Sequence, residues 1–259
     1  MALRHSLGWD AGFPRRSPWF WPLSGAAARF AAYAEWPPRS AYEAAYRELA
    51  LPLGAAPLAF VENVRKADKR EAGRVVLERL YEGRVACAGE VPTRECDWHD
   101  FFNALCFITF PHAKHALHAR GYRVLRERVG EEAARLPGAR TPEQDALTLF
   151  DEGGAVIAAE ADAYRQLLEA PEGDLLRGCV ERGSARVVPF GHALFEHLVE
   201  GLRCPGGSTR VVRVESARVE DAELVRVVDR ALAELLANPT LFRYPREGGH
   251  MRLDTLGLR

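Results

Sequence analysis

The sequence contains no C-x-x-C pair, and it has no H-E-x-x-H, nucleotide-loop, nucleophile-elbow or dinucleotide-binding pattern. Zinc knuckles, thioredoxin-like redox sites and the signature-bearing hydrolases and dehydrogenases are therefore not written here. Its five cysteines, at 87, 96, 106, 179 and 204, are odd in number and scattered, which argues for reduced thiols over a disulfide framework. No long hydrophobic run occurs. The longest strongly apolar stretch, Ala104 to Pro111, falls far short of the roughly 20 residues a membrane helix needs. The first ten residues lack the apolar segment of a signal peptide. Excess charge of one sign is also missing. The chain carries 35 basic and 36 acidic residues, so no global field draws it to nucleic acid or to an anionic membrane. These absences predict a soluble, cytoplasmic protein with no membrane partner, and they disfavour nucleic acid as a partner. Lysine is scarce beside frequent alanine and arginine, which points to a GC-rich bacterial genome.

What is present is an ordinary globular composition. With 259 residues and 47% hydrophobic content, the chain can bury a sizeable core. No linker divides it, so a single domain over 1–259 is expected. Residues 1–25, with Trp9, Trp19, Trp21 and prolines at 14, 18 and 22, read as an irregular arm packed on the body. Helices are expected over 25–36 and 40–51, the second with Ser40 and Glu43 as a capping box, and a short strand over 58–61. Residues 61–84 are basic, and Lys66, Arg70 and Arg74 would share one face of a solvated helix. Residues 145–158 read as strand, turn, strand around Gly153-Gly154, against a competing helix start at Thr141-Pro142-Glu143-Gln144. Further on, strands are expected at 186–189 and 209–214, and helices at 191–201 and 217–236. The fold class is α+β: a helical N-terminal half packed with a small mixed sheet and helices in the C-terminal half.

The most informative segment is Asp97-Trp-His-Asp-Phe-Phe-Asn-Ala-Leu-Cys-Phe-Ile-Thr-Phe110. Asp97 fits an N-cap, and Asp100 sits in the first turn, where the helix dipole favours a carboxylate. Apolar side chains surround the axis, so this helix is buried. His99, Asp100 and Asn103 begin a stripe that turns apolar one turn later, so they must find partners elsewhere in the chain. The arrangement reads either as one wall of a catalytic or metal site or as a structural hydrogen-bond network. Pro111 ends or kinks the helix. The following His112, His115 and His118 match no recognised ligand spacing, and Lys114 is expected in solvent.

Two other clusters complete the candidates. His192 and Glu196 are four apart on one helical face, where a carboxylate can orient an imidazole for proton transfer or metal binding. Asp151 and Glu152 follow an apolar run, and paired carboxylates there can hold a divalent metal.

Several segments together resemble one family: Pro92-Thr-Arg-Glu95, Trp98-His-Asp-Phe-Phe-Asn-Ala-Leu105, Phe110-Pro with Lys114, Asp145-Ala-Leu-Thr-Leu-Phe-Asp-Glu152 and Phe190-Gly-His-Ala-Leu-Phe-Glu196. They resemble the bacterial domain-of-unknown-function family 3025. The resemblance implies no activity. It implies an Asn near position 118, where this chain has His118.

The reading that follows is a hydrolase with a polar pocket. His99, Asp100, Asn103, His192 and Glu196 are the catalytic candidates, with His99 or His192 as general base, and Asp151 and Glu152 are the ligands of a divalent metal cofactor. The alternatives are a binding module, using the aromatic arm and the basic segment toward nucleic acid or protein, and a purely structural network.

Overall fold

The computed structural model describes residues 7–63, 70–71, 74–129, 134–169, 173–202, 207–245 and 247–253. The elements are numbered along the chain, counting helices of eight residues or more: α1 (Arg39–Leu49), β1 (Ala59–Val61), β2 (Arg70–Glu71), β3 (Arg74–Val75), β4 (Glu90–Pro92), α2 (Trp98–Thr109), α3 (Pro111–Val129), α4 (Pro142–Gly153), β5 (Ala155–Ala159), α5 (Ala161–Glu169), α6 (Gly173–Glu181), β6 (Ala185–Pro189), α7 (His192–Val199), β7 (Gly207–Arg213), α8 (Asp221–Ala237) and β8 (Gly249–Met251). The class is α+β. The main sheet has the order β6-β5-β7-β8. Strand β5 runs antiparallel to β6 and parallel to β7, and β8 closes the edge antiparallel to β7. Every residue of β5 is buried, as expected for a central strand covered on both faces.

Helix α2 is the centre of the molecule. Asp97 caps it, its carboxylate accepting the Asp100 backbone N–H at 3.1 Å. Phe101, Phe102, Ala104, Leu105, Cys106 and Phe107 are wholly buried. The first turn carries an aromatic cluster in which Trp98 stacks on Phe102 and on Trp9 of the arm. The arm is two 3₁₀ turns, Phe13–Arg16 and Pro18–Leu23. Phe13, Phe20 and Trp19 are buried, so its aromatic surface is spent on the core. Pro111 starts α3 directly after α2 ends, which suits a residue with no N–H to lose.

Four expectations are corrected. The segment 145–158 is not a hairpin: α4 runs through 142–153 and only β5 is a strand. The competing signal prevails because Thr141 and Gln144 close a full capping box and Pro142 is preorganised for the first helical position. The expected helix over 25–36 shrinks to Ser24–Ala27 and a 3₁₀ turn. Helix α1 starts one residue early with Pro38 at its N-cap, so Ser40 makes no capping box. In the basic segment Arg70 and Arg74 fall in an antiparallel ribbon, β2 with β3, instead of sharing a helical face; Lys66 lies outside the described residues.

His115 illustrates how this core treats ionisable groups. Tyr46 donates its hydroxyl to the Ala56 carbonyl at 2.8 Å and lies 3.0 Å from His115 Nε2, which therefore donates to it. Burial, with His118 and His112 nearby, pulls His115 down to about 4. The folded protein thus holds it neutral while the unfolded chain takes up a proton below its ordinary 6.5. Stability is fully present above that value and falls as pH drops from 6.5 toward 4, by up to about 1.4 kcal/mol per pH unit from this group. Denaturant titrations of wild type and His115→Gln across this window check it: the variant's slope is expected to be smaller by one proton.

Candidate functional site

Three elements deliver the candidate residues to one place. Helix α2 supplies His99 and Asn103, the C-terminal end of α4 supplies Asp151 and Glu152, and the first two turns of α7 supply His192 and Glu196. Their separation is set by backbone contact. A Cβ on Gly191 would lie 2.5 Å from the Glu152 carbonyl oxygen and the Gly153 and Gly154 nitrogens, and one on Gly207 would lie 1.7 Å from the Gly153 oxygen. Only glycine lets the end of α4, the start of α7 and the start of β7 meet this closely.

His99 is the hub. Its Nδ1 lies 2.9 Å from Glu196 Oε2, so Nδ1 carries the donated proton. Its Nε2 lies 3.0 Å from His192 Nε2, with the rings edge to face at 81°. The hydrogen bond to Glu196 holds His99 above its ordinary pKa against the opposing effect of burial. His192 is buried, and that burial pulls it down to about 3, leaving a neutral ring with one nitrogen lone pair to offer. Its Nδ1 has no hydrogen-bond partner and faces Asp151 Oδ2 at 3.7 Å. Two imidazole nitrogens at 3.0 Å, each backed by a carboxylate on the far side of its ring, must share a proton or a cation. His99, His192 and Glu152 each offer one ligand atom, all within 4.8 Å of one another. Glu152 is half-exposed and burial raises its carboxyl. Two imidazoles and a carboxylate are the donor set of an open divalent-metal site of zinc type.

Behind this cluster lies a buried polar wall. Lys114, fully buried, donates to Asn103 Oδ1 at 2.9 Å and to Asp151 Oδ1, and lies over the Phe107 ring at 4.7 Å. All three ammonium protons are thereby accommodated. The expectation of Lys114 in solvent is overturned: it is neutralised by a carboxylate 37 residues away. Burial tends to raise the Asp151 carboxyl, but the Lys114 ammonium hydrogen-bonded to it holds it well below the usual range. Asn103 Nδ2 donates to the Tyr81 hydroxyl at 2.8 Å. Asp100 turns away from the cluster, both oxygens bound by the Arg94 guanidinium.

His118 is the residue that sequence reasoning passed over. It is buried, stacks on Phe107, and gives Nδ1 to Glu82 at 2.8 Å. Its Nε2 has no hydrogen-bond partner and points toward Asp151 Oδ2 at 4.0 Å. The helical spacing Lys114–His118 puts both on one face; what could not be read was that α4 covers that face. A cavity of about 550 Å³ opens beside the cluster, lined by His99, His118, Asp151, Glu152 and His192 among others, within the size range of small-molecule sites.

The family model described as protein of unknown function, DUF3025, matches residues 69–248. The chain belongs to this family. No curated protein and no solved structure matches it. The matched span of this DUF3025 chain contains every residue of the cluster and of the polar wall, whereas the aromatic arm precedes it. Among the described residues no helix is long and apolar enough to cross a membrane.

Proposed function

We propose that the protein is a hydrolase that works with a divalent metal held by His99, His192 and Glu152. The observation that carries this reading is the pair of imidazole Nε2 atoms 3.0 Å apart, with Glu196 and Asp151 behind the opposite nitrogens. A carboxylate on the outer nitrogen of a metal-ligating His fixes its tautomer and raises its basicity. A divalent ion there would supply Lewis acidity and a water made nucleophilic at neutral pH. The chain's own groups do the rest. Glu196 keeps the lone pair of His99 on Nε2. Lys114 holds Asp151 ionised and in place. His118, oriented by Glu82 and with a free Nε2, is the proton-transfer group.

Equilibrium dialysis against Zn²⁺, Mn²⁺ and Co²⁺, followed by elemental analysis, tests the reading. One ion per chain is expected for wild type and none for His192→Ala. Glu196→Gln should weaken the affinity by about 10–100-fold. His118→Gln should retain the metal while losing turnover. Absence of stoichiometric metal in wild type, or undiminished binding by His192→Ala, would remove the metal centre.

A further inference from the structure

The hydrogen bonds behind the donor cluster run in one direction. The Lys114 ammonium can only donate, so the Asn103 amide must turn its oxygen to it, and Nζ stands 2.9 Å from Oδ1. That fixes the amide, and its Nδ2 donates to the Tyr81 hydroxyl at 2.8 Å. Tyr81 therefore accepts through its oxygen and keeps its own O–H proton for another partner. Among the described residues no acceptor for that proton stands within hydrogen-bond distance. Burial holds the phenol well above its ordinary 10, so the proton stays on the oxygen.

Tyr81 lines the cavity of about 550 Å³ together with Asn103, His99, Glu152 and His192. Asn103 follows His99 by four residues, one turn along the same face of α2 and about 6 Å away. The hydroxyl bound to Asn103 thus stands about one helical turn from the donor cluster. An oxygen shared between a phenol and a divalent ion spans a similar gap, with about 2.7 Å to the donor and about 2.1 Å to the ion. The carboxylates of Glu82, Asp100 and Glu152 line the same cavity. They oppose a phosphoryl group, whose several charged oxygens each call for a donor or a cation. Tyr81 offers one proton, which serves one oxygen.

We propose that Tyr81 is a catalytic residue whose hydroxyl donates to the carbonyl oxygen of an ester or amide substrate. The proposal deepens the metal-hydrolase reading and rests on it. As the oxygen of a water bonds to the carbonyl carbon, the C=O electron pair moves onto the carbonyl oxygen. The Tyr81 hydroxyl, polarised by Lys114 through Asn103, meets the charge that develops there. His118 takes the proton of the water and returns it to the departing nitrogen or oxygen as its bond to the carbon breaks. Asn103 is a positioning residue: it holds the phenol oxygen so that the O–H proton is free to turn to the substrate.

Isothermal titration of the Zn²⁺-loaded protein with acetohydroxamate, imidazole and methylphosphonate tests it. Acetohydroxamate brings a carbonyl oxygen to the ion, and imidazole ligates zinc with no oxygen at all. Tyr81→Phe should bind acetohydroxamate about 10–100-fold more weakly, with its imidazole affinity, Zn²⁺ affinity and circular dichroism unchanged. Undiminished acetohydroxamate affinity in the variant, or an equal loss for imidazole, overturns the role of the hydroxyl. Methylphosphonate bound more tightly than acetohydroxamate overturns the carbonyl class. A wild type that takes up no zinc removes the metal centre and this proposal with it, whereas full zinc uptake with no effect of Tyr81→Phe leaves the metal centre standing and removes Tyr81 alone.

Discussion

Lys114→Met is expected to destabilise the protein by about 3–5 kcal/mol, a large share of a typical domain's stability. The methionine fills the space of the lysine stem, so the loss is electrostatic. Asp151 would be left as a buried carboxylate beside two buried imidazoles, and Asn103 Oδ1 would lose its donor. Denaturant unfolding of Lys114→Met, Asp151→Leu and the double variant separates the terms. The double variant should be more stable than Lys114→Met, because replacing both partners by apolar groups avoids leaving one charge unpaired. A single variant within about 1 kcal/mol of wild type would mean that Lys114 does not neutralise Asp151. The carboxylate also makes the pair sensitive to acid. Its pKa is depressed on folding, so its contribution is present above the ordinary carboxylate value of 3.8 and is lost as pH falls below it.

The second large effect is expected at Arg120. This buried guanidinium donates to the carbonyls of Leu236 and Asn238 at 3.0 and 2.8 Å and to that of Leu241, while pairing with Glu143 at 2.7 Å. It thereby satisfies the Leu236 carbonyl in the last turn of α8 and adds to the partners of the Asn238 and Leu241 carbonyls in the segment that follows, and it ties α3, α4 and α8 together. Arg120→Ala removes the donor of the Leu236 and Leu241 carbonyls and leaves Glu143 without its guanidinium, a loss of about 3–5 kcal/mol. Arg120→Lys should recover less than half of this, since an ammonium cannot reproduce the planar fork. Thermal or denaturant unfolding of both variants checks the order; a lysine variant as stable as wild type would contradict it.

Sequence and structure agree where the deciding signal is local. The Asp97 cap, the burial of α2 and the stop at Pro111 depend on residues within one or two turns, so they are legible in order along the chain. The need of His99 for a partner was legible as well, because its helix is apolar around the axis. The identity of that partner, Glu196, was legible only as a candidate, since helical phase states which face a residue occupies and not what covers it. The same limit concealed Lys114 and Arg120. Both look like solvent-facing charges on α3, and their partners lie up to 37 and 121 residues away. Tyr81 and Glu82 escaped notice because they sit in a short turn, Tyr81–Gly83, with no periodicity to mark it. Over 142–158 two local signals conflicted, and a closed capping box outweighed the glycine pair.

The glycine contacts at 191 and 207 carry a consequence for the tuning of this centre. Where main chain rests on main chain, nothing of intermediate thickness can be inserted. The spacing between the imidazole of α7 and the carboxylate ending α4 cannot be adjusted by resizing a neighbour, as it can in a cavity packed with leucines. Even a single methyl at either position would act as a wedge, opening the joint and carrying the two donors apart together. The joint that sets His192 and Glu152 relative to each other therefore admits no gradations.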